Sequence, residues 1–451
     1  MSQDLSHYKK ATTLAEVDNA VRFDVPITPD HPFFTDFSDV RGDFEDKVLY
    51  KSLNVDPRTF IYNRTANIAN KSLIFLAGMR GSGKTSELAK ITKKLHRPNC
   101  FYCVTCNLDT GLDKNDMEYM DVLIFQIERL FEELKNQDIT VDNGILASLQ
   151  VWFSERINEV NKVITREGGF EVELKAETPS ILSFLGLASR VKANLQGTKE
   201  NAEKIRTVFK NNFTAFAQQL NVFFEHVNIR LRNEERAQEL LFVVDGMEKV
   251  ATIDARKKIV IGESDRIRQI KVNTVFTLPI ELQSETQRIS QMNTVLPFPF
   301  IKIRERNGIE IPKAIDRFFE FITRRIDEKL FDSKDTIKKA ILMGGGSPRE
   351  LLRVLEYANL YSDEEKGIIT MGALDKGLKK LAAQTAQYIP PADFEILKQL
   401  KNDNDADLPT ATDETWQDLL EKLIIFEYND GTYKRVNPVV ELSELYKRYV
   451  G

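Results

Sequence analysis

The stretch KSLIFLAGMRGSGKTSELAKITKKL, residues 71–95, contains the most informative pattern in this chain. It opens with the nearly all-apolar run LIFLAG, which is typical of a buried parallel strand. The segment GMRGSGKT follows at once, and SELAKITKKL then reads as a helix. This order matches the pattern G-x-x-x-x-G-K-[ST] in the strand, loop and helix setting that the pattern requires. The stretch therefore predicts a phosphate-binding loop between a strand and a helix.

The residue types of this loop suit a bound triphosphate. Glycines let the backbone curl so that several N–H groups converge on phosphate oxygens, and the following helix adds its positive end. Lys84 would reach the β- and γ-phosphates, and Thr85 would offer its hydroxyl oxygen to Mg²⁺. The alternative is a glycine-rich turn that carries Lys-Thr by chance. We predict that the nucleotide-binding residues are Gly78, Arg80, Gly81, Ser82, Gly83, Lys84, Thr85 and Ser86.

A second signal is LLFVVDGMEK, residues 240–249, an apolar strand that ends in an acid. Asp245 takes the position that holds Mg²⁺ in phosphate-loop enzymes. Glu248 lies three residues further on and could polarise an attacking water. Asp245 could instead be a strand-end turn residue, and Glu248 a solvated loop acid. Gly246 stands where many hydrolytic relatives have a second acid, so binding is better supported than hydrolysis.

Two further residues are candidates for the same site. Thr277 ends the predicted strand KVNTVFTLPI, where its hydroxyl could contact the γ-phosphate or orient the water. It could equally be a β-branched residue that favours a strand. In GGGSPREL, Ser347 and Pro348 predict a helix N-terminus. Arg349 would project from this end towards the phosphates, or it could be a surface residue in a salt bridge.

The order of strands and helices predicts an α/β fold, with a doubly wound parallel sheet. Residues 71–305 form the predicted nucleotide-binding core. The alternation pauses over 136–239, which we interpret as a helical insert. Helices continue over 306–388, the predicted lid. Helices and a hairpin over 391–451 resemble a winged helix-turn-helix. We interpret residues 1–70 as an N-terminal extension that packs against the segment after it.

Composition narrows the class of protein. The 451 residues carry a formal net charge of −5, and 42% are hydrophobic, as in an ordinary globular protein. No run reaches the roughly 18 uncharged apolar residues of a membrane helix, and the start of the chain lacks a secretion signal. The closely spaced Cys100, Cys103 and Cys106 are best explained as buried small hydrophobes. We expect a cytoplasmic protein without membrane contact.

Together these motifs resemble those of the AAA+ ATPases, and the hydrophobic–Asp-Gly–hydrophobic–acid form resembles the initiator-type and STAND branch. The resemblance implies ATP with Mg²⁺, nucleotide-driven closure between core and lid, and homo-oligomers. It places sensor residues at Thr277 and Arg349. By analogy with bacterial STAND proteins it also suggests a role in signalling or antiviral defence. Oligomeric members need an arginine from a neighbour. The candidates, each of which could instead be a plain surface charge, are Arg266, Arg268, Arg324 and Arg325.

The charge of residues 391–451 bears on the choice of partner. This segment has seven basic and thirteen acidic residues, a net charge of −6. DNA-binding modules are normally basic, so DNA is disfavoured, and a protein partner or a clamp on the chain's own core is favoured. The leading hypothesis is an ATP-hydrolysing switch or motor that acts on a protein partner. The alternatives are a nucleotide-stabilised scaffold without turnover and a DNA-bound initiator or regulator.

Overall fold

The computed structural model describes residues 8–23, 26–42, 44–67, 71–166, 179–285, 294–402, 414–428 and 433–451. A half-exposed strand predicted within GFEVELKAE, residues 169–177, lies outside them. So does the turn NDG of the C-terminal hairpin, residues 429–431.

A parallel sheet forms the centre of the described structure. Its strands are β1 (Leu73–Gly78), β2 (Phe101–Asn107), β3 (Glu239–Asp245), β4 (Asn273–Pro279) and β5 (Thr294–Pro297). Their order across the sheet is β2-β3-β4-β1-β5, and every neighbouring pair is parallel. The carboxyl ends of β1, β3 and β4 therefore share one edge, where ligands bind in open α/β sheets.

Helices cover both faces of this sheet. The first helices in the chain are α1 (Leu14–Ala20), α2 (Asp46–Ser52), α3 (Lys84–Leu95), α4 (Leu108–Gly111) and α5 (Tyr119–Asn136). Ile74 and Leu76 of β1 share an apolar cluster with α2 and α3. Phe75 and Ala77 point to the opposite face and share a cluster with α5. This alternation buries the strand on both sides, and the predicted α/β class with a parallel sheet is confirmed.

Further helices extend the α5 side of the sheet. They are α6 (Asn143–Arg166), α7 (Ile181–Leu195), α8 (Lys199–Asn211) and α9 (Phe213–Asn233). Their aromatic side chains pack on one another, and the ring centroids of Phe153 and Phe216 lie 5.3 Å apart. After β3 come α10 (Ile253–Lys257) and α11 (Ser264–Gln269). The side chains of Phe209, Phe216 and Phe223 are buried, and Phe216 meets Phe209 edge to face, whereas Phe223 stacks on Phe131.

The remaining elements form two apolar clusters near the sheet edge. The elements are α12 (Pro312–Thr323), α13 (Lys334–Gly344), α14 (Pro348–Asn359), α15 (Met371–Ala386), α16 (Phe394–Asn402), α17 (Glu414–Glu421), β6 (Ile425–Tyr428), β7 (Tyr433–Val436) and α18 (Glu444–Tyr449). Helices α12 to α15 share one cluster, and the elements from α16 onward share another. Strands β6 and β7 are antiparallel. The winged-helix assignment stays a prediction.

The N-terminal segment, residues 1–70, divides between two parts of the molecule. Its stretch from Tyr8 to Phe37 lies in the apolar cluster of α12 to α15. Its stretch from Phe44 to Tyr62 lies in the cluster of β1 and α3. Residue Arg41 lies between the two stretches, and its guanidinium donates to the carbonyl of Pro299 at 2.9 Å. The described parts of this segment therefore pack on both clusters rather than on one of them.

The last strand of the sheet comes earlier along the chain than the amino-acid pattern indicates. FPFIKIR, residues 298–304, is a candidate strand by composition, but β5 ends at Pro297. The N–H of Phe298 still donates to the carbonyl of Ala77 in β1, but Pro299 has no N–H to donate, and the N–H groups of Phe300 and Ile301 donate to Glu427 and Gly346 instead. Within the described ranges, no helix combines the length and apolar character needed to cross a bilayer.

Gly346→Ala is expected to destabilise the protein more than Gly367→Ala. Both glycines have positive φ, +82° and +68°, so each substitution costs about 1 kcal/mol of backbone strain. A methyl group on Gly346 would also lie 1.8 Å from the carbonyl oxygen of Ile301, whereas Gly367 has nothing within 4 Å. Such overpacking costs about 1–3 kcal/mol more. Equal midpoints in urea unfolding of the two variants would contradict this expectation.

Candidate nucleotide site

The loop after β1 has the geometry that the sequence predicts. Gly81 and Gly83 have φ of +85° and +94°, which glycine adopts without strain. Gly83 caps the N-terminus of α3, so Lys84 is the first residue of that helix. The Lys84 side chain is buried, and its ammonium donates to the carbonyls of Gly78 at 2.7 Å and Met79 at 2.9 Å. The loop thus wraps around a single lysine.

Carboxylates lie close enough to affect Lys84. Burial lowers the pKa of the Lys84 amine, whereas the negative charges of Glu248 and Asp245 oppose that shift. The strand end of β3 and the loop after β1 therefore face the same small volume. This is the juxtaposition that the sequence predicts for Lys84 and Asp245.

Asp245 and Thr85 meet directly. The Thr85 hydroxyl donates to one carboxylate oxygen of Asp245 at 2.6 Å, and the second oxygen, Oδ1, is buried without a hydrogen-bond partner. Burial raises the pKa of Asp245, and the charge of Glu248 raises it further. A cation placed between the two side chains would satisfy the orphaned oxygen and the buried charge. The pair therefore fits Mg²⁺.

No described group of three or more histidine, cysteine or acidic side chains could form a metal site by itself. Mg²⁺ needs no such group, because it usually keeps several waters and uses phosphate oxygens beside one or two protein ligands. The three cysteines are buried free thiols. Cys106 faces the α5 side of the sheet, whereas Cys100 and Cys103 lie on the α3 side.

Glu248 lies in a short 3-10 turn, Met247–Lys249, directly after β3. Gly246, which stands where many hydrolytic relatives have a second acid, starts this turn. Its φ of +99° is a conformation that glycine adopts without strain, so Gly246 allows the chain to turn back at this point. Glu248 lines the cavity that contains Lys84 and Thr85, and its Oε2 atom is buried without a hydrogen-bond partner. An unpartnered carboxylate oxygen at this position is available to a water molecule.

Thr277 has a different environment from the one predicted. Its side chain is fully buried, and its hydroxyl oxygen accepts hydrogen bonds from the backbone N–H of Gly246 at 3.1 Å and of Met247 at 3.4 Å. It does not line the cavity of Lys84. Direct contact of Thr277 with phosphate or water stays a prediction. Thr277 instead fixes the turn that carries Glu248.

Arg349 lies beside the loop, as predicted. Ser347 caps α14 by accepting from the N–H of Glu350, and its hydroxyl also donates to the carbonyl of Gly81 at 3.4 Å. A Cβ added to Gly81 would lie 2.7 Å from the Cβ of Arg349, so the N-terminus of α14 touches the loop. Burial lowers the pKa of Arg349, and the like charge of Arg80 adds to that shift. An anion between Arg80 and Arg349 would relieve this repulsion.

The cavity beside the loop has a wall that sequence reasoning did not assign. Its volume is 180 Å³, and several aromatic and aliphatic residues from the N-terminal segment and the lid line it. They are Phe23, Pro26, Ile27, Phe33, Phe34, Phe37, Phe321 and Leu352. Two polar groups in the same wall, Thr35 Oγ1 and Arg41 Nε, are buried without hydrogen-bond partners. In the amino-acid sequence, the aromatic cluster HPFF at residues 31–34 is the feature that could indicate this wall.

A larger cavity of 880 Å³ lies at the opposite, amino-terminal edge of the sheet. It is lined by Tyr119, Gln126, the start of β4 and the arginine-finger candidate Arg268, and by none of the residues predicted to bind the nucleotide or Mg²⁺. This cavity is the larger of the two, but the smaller one is lined by the loop after β1 and by charged side chains. Chemistry therefore favours the smaller cavity as the site.

The four arginine-finger candidates differ in their surroundings. Arg266, Arg268 and Arg324 form ion pairs on their own helices or turns, with Glu263, Asp265 and Glu320 respectively. Arg325 is buried, donates to the carbonyls of Phe33 and Phe321, and lines the chain's own cavity. Arg325 is therefore engaged within its own chain in this structure, and the choice of an arginine finger stays open.

The parallel sheet, the loop after β1 and the acid at the end of β3 define a P-loop fold. No family model and no curated protein matches the chain. Among solved structures, a Walker-type ATPase of Pyrococcus abyssi matches with a TM-score of 0.37 and 13% sequence identity. The match covers 85% of this chain and 95% of that one.

Proposed function

We propose that this chain binds ATP with Mg²⁺ and hydrolyses it, as a switch or motor of the AAA+/STAND type. The observation that best supports this proposal is the hydrogen bond between Thr85 and Asp245 beside the buried Lys84. Two oxygen ligands and one ammonium, placed at the N-terminus of α3, are the parts that hold a magnesium triphosphate.

Each charged residue has a separate role in this proposal. Lys84 exchanges its carbonyl partners for phosphate oxygens. Thr85 and Asp245 hold Mg²⁺, which neutralises charge on the phosphates. Glu248 orients the attacking water and accepts its proton. Arg349 contacts the terminal phosphate from the lid, so the lid is closed most firmly when that phosphate is present.

The apolar wall is suited to bind the nucleoside of ATP at the end of the cavity away from the phosphates. Aromatic rings such as Phe33 and Phe34 provide flat surfaces for a base, and the unpartnered Thr35 and Arg41 atoms provide polar contacts. Ligand sites of this kind combine a mainly apolar lining with few fixed polar groups. The preference for adenine follows from the AAA+ resemblance.

The C-terminal segment, residues 391–451, supports coupling through protein contacts. Its Glu427 N–H donates to the sulfur of Met79 inside the P-loop at 3.1 Å, so it lies directly against the nucleotide site. Lys434 on β7 pairs with Glu427. A hairpin whose lysine is paired within the chain is poorly placed to neutralise DNA phosphates, which favours a self-clamp or a protein partner over DNA.

The test is phosphate release from ATP by the full chain, with Mg²⁺ and with excess EDTA. We expect release with Mg²⁺ and none with EDTA. Asp245→Asn should lower the rate about 100-fold or more, since the cation contributes several kcal/mol. Asp265→Asn, at an exposed aspartate, is the matched control and should not change it. Nucleotide binding without any release in Mg²⁺ would favour the non-hydrolysing scaffold.

Oligomerisation is tested separately by sizing the protein. We expect a larger species with a non-hydrolysable ATP analogue than without nucleotide. An unchanged size with saturating analogue would contradict a nucleotide-dependent homo-oligomer.

A further inference from the structure

The turn that carries Glu248 is fixed at both of its ends. At the start, the Thr277 hydroxyl accepts from the Gly246 N–H at 3.1 Å. At the end, the Val250 carbonyl accepts from Arg256 Nε at 2.8 Å. Arg256 belongs to α10, the helix that comes after the turn. Its side chain therefore sets where the turn ends.

The same guanidinium also binds two carboxylates from distant parts of the chain. One nitrogen of Arg256 pairs with Glu281, directly after β4, and with Glu421 at the end of α17 at 2.9 Å. Arg256 and Glu281 are buried, whereas the side chain of Glu421 is 38% exposed. Arg256 thus joins the Glu248 turn, the end of β4 and the C-terminal segment.

Arg256 and Glu248 also share space. A small cavity is lined by both residues and by Gly78, Arg80, Glu281 and Glu421. A buried guanidinium is stable only when its donors are paired. The loss of Glu421 would remove part of that pairing, so the arrangement around Glu248 is sensitive to the position of α17.

We propose that Arg256 is a positioning residue for Glu248, and that its bond to Glu421 makes hydrolysis depend on docking of the C-terminal segment. This inference rests on the hydrolysis proposed above. When the C-terminal segment is docked, Glu421 pairs with Arg256. Arg256 in turn donates to the Val250 carbonyl and so fixes the end of the turn. Undocking leaves Arg256 with Glu281 alone, and the turn loses its fixed end.

Other contacts agree with docking at this position. Trp416 of α17 belongs to the same apolar cluster as Met79 of the P-loop and Ile280 after β4. The N–H of Phe300 donates to the Glu427 carbonyl at 3.4 Å. Movement of α17 would therefore disturb the same edge of the sheet that carries Glu248.

The first test compares steady-state ATP hydrolysis of variants. Arg256→Ala should lower kcat by about 10–100-fold, as expected for a misplaced reacting group, with little change in KM. Arg256→Lys should recover part of the loss because an ammonium can keep the ion pairs. Glu421→Gln should give a smaller loss. Asp418→Asn, on the same helix in an exposed pair with Lys422, should match the wild type.

The second test does not need turnover. Hydrogen exchange of the amides of residues 246–250 should be faster in Arg256→Ala and Glu421→Gln than in Asp418→Asn. Unchanged exchange in Arg256→Ala would overturn the positioning role. If exchange is faster in Arg256→Ala but unchanged in Glu421→Gln, the link to the C-terminal segment is overturned. If the wild type hydrolyses no ATP, the proposed function fails, and the exchange data still decide whether Arg256 holds the turn.

Discussion

Lys84→Ala is expected to weaken ATP binding by at least about 100-fold, because charge-assisted hydrogen bonds contribute about 1.5–3 kcal/mol each. Lys84 now donates to the carbonyls of Gly78 and Met79, which lie in the loop that would surround the phosphates. The same ammonium can turn to phosphate oxygens without leaving the loop. No other lysine among the described residues lines this part of the cavity except Lys249.

The measurement is a titration with a fluorescent ATP analogue in Mg²⁺. Lys93→Ala is the matched control, because Lys93 lies on the same helix with a side chain that is 56% exposed. Thermal unfolding of each variant without nucleotide separates lost binding from lost folding. If a folded Lys84→Ala protein binds the analogue as tightly as the wild type, the loop is not the triphosphate site.

Glu248→Gln is expected to lower kcat by about 100–10,000-fold while ATP affinity is retained, which is the range for loss of a general base. Glutamine keeps the size of the side chain and can still orient water, but it does not accept a proton at neutral pH. Binding depends on Lys84, Thr85 and the backbone of the loop, so it should survive.

Single-turnover hydrolysis, measured with enzyme in excess, separates the chemical step from product release. Asp254→Asn is the control, at an exposed aspartate six residues further along the same segment. Unchanged turnover in Glu248→Gln would remove Glu248 from the proposed mechanism. Loss of both binding and turnover would instead indicate that Glu248 supports the shape of the site.

The parts of the site that were predicted well are those defined by local sequence. The P-loop comes after a buried strand and starts a helix, so its shape depends on neighbours along the chain. Asp245 ends a strand parallel to β1, and parallel strands bring their carboxyl ends to one edge. These two facts are sufficient to place Thr85 against Asp245.

Other parts depend on contacts between distant segments. Thr277 is at the predicted strand end, but sequence does not show that its hydroxyl accepts from the Gly246 N–H. The apolar wall comes from an N-terminal stretch without clear periodicity, and its fold depends on the lid. Arg256 lies in an unremarkable charged stretch, and its partners are 25 and 165 residues away.

The packing of the N-terminal segment on two apolar clusters has a practical consequence for any attempt to prepare a shorter form of the protein. Apolar side chains between Tyr8 and Phe37 share a cluster with α12 to α15, and others between Phe44 and Tyr62 share a cluster with β1 and α3. A protein that begins at residue 71, where the recognisable motifs start, would leave both apolar surfaces open to water and would be prone to aggregate. Removing the amino-terminal seventy residues should therefore destabilise both the packing of α12 to α15 and the packing of β1 and α3, which flank the P-loop.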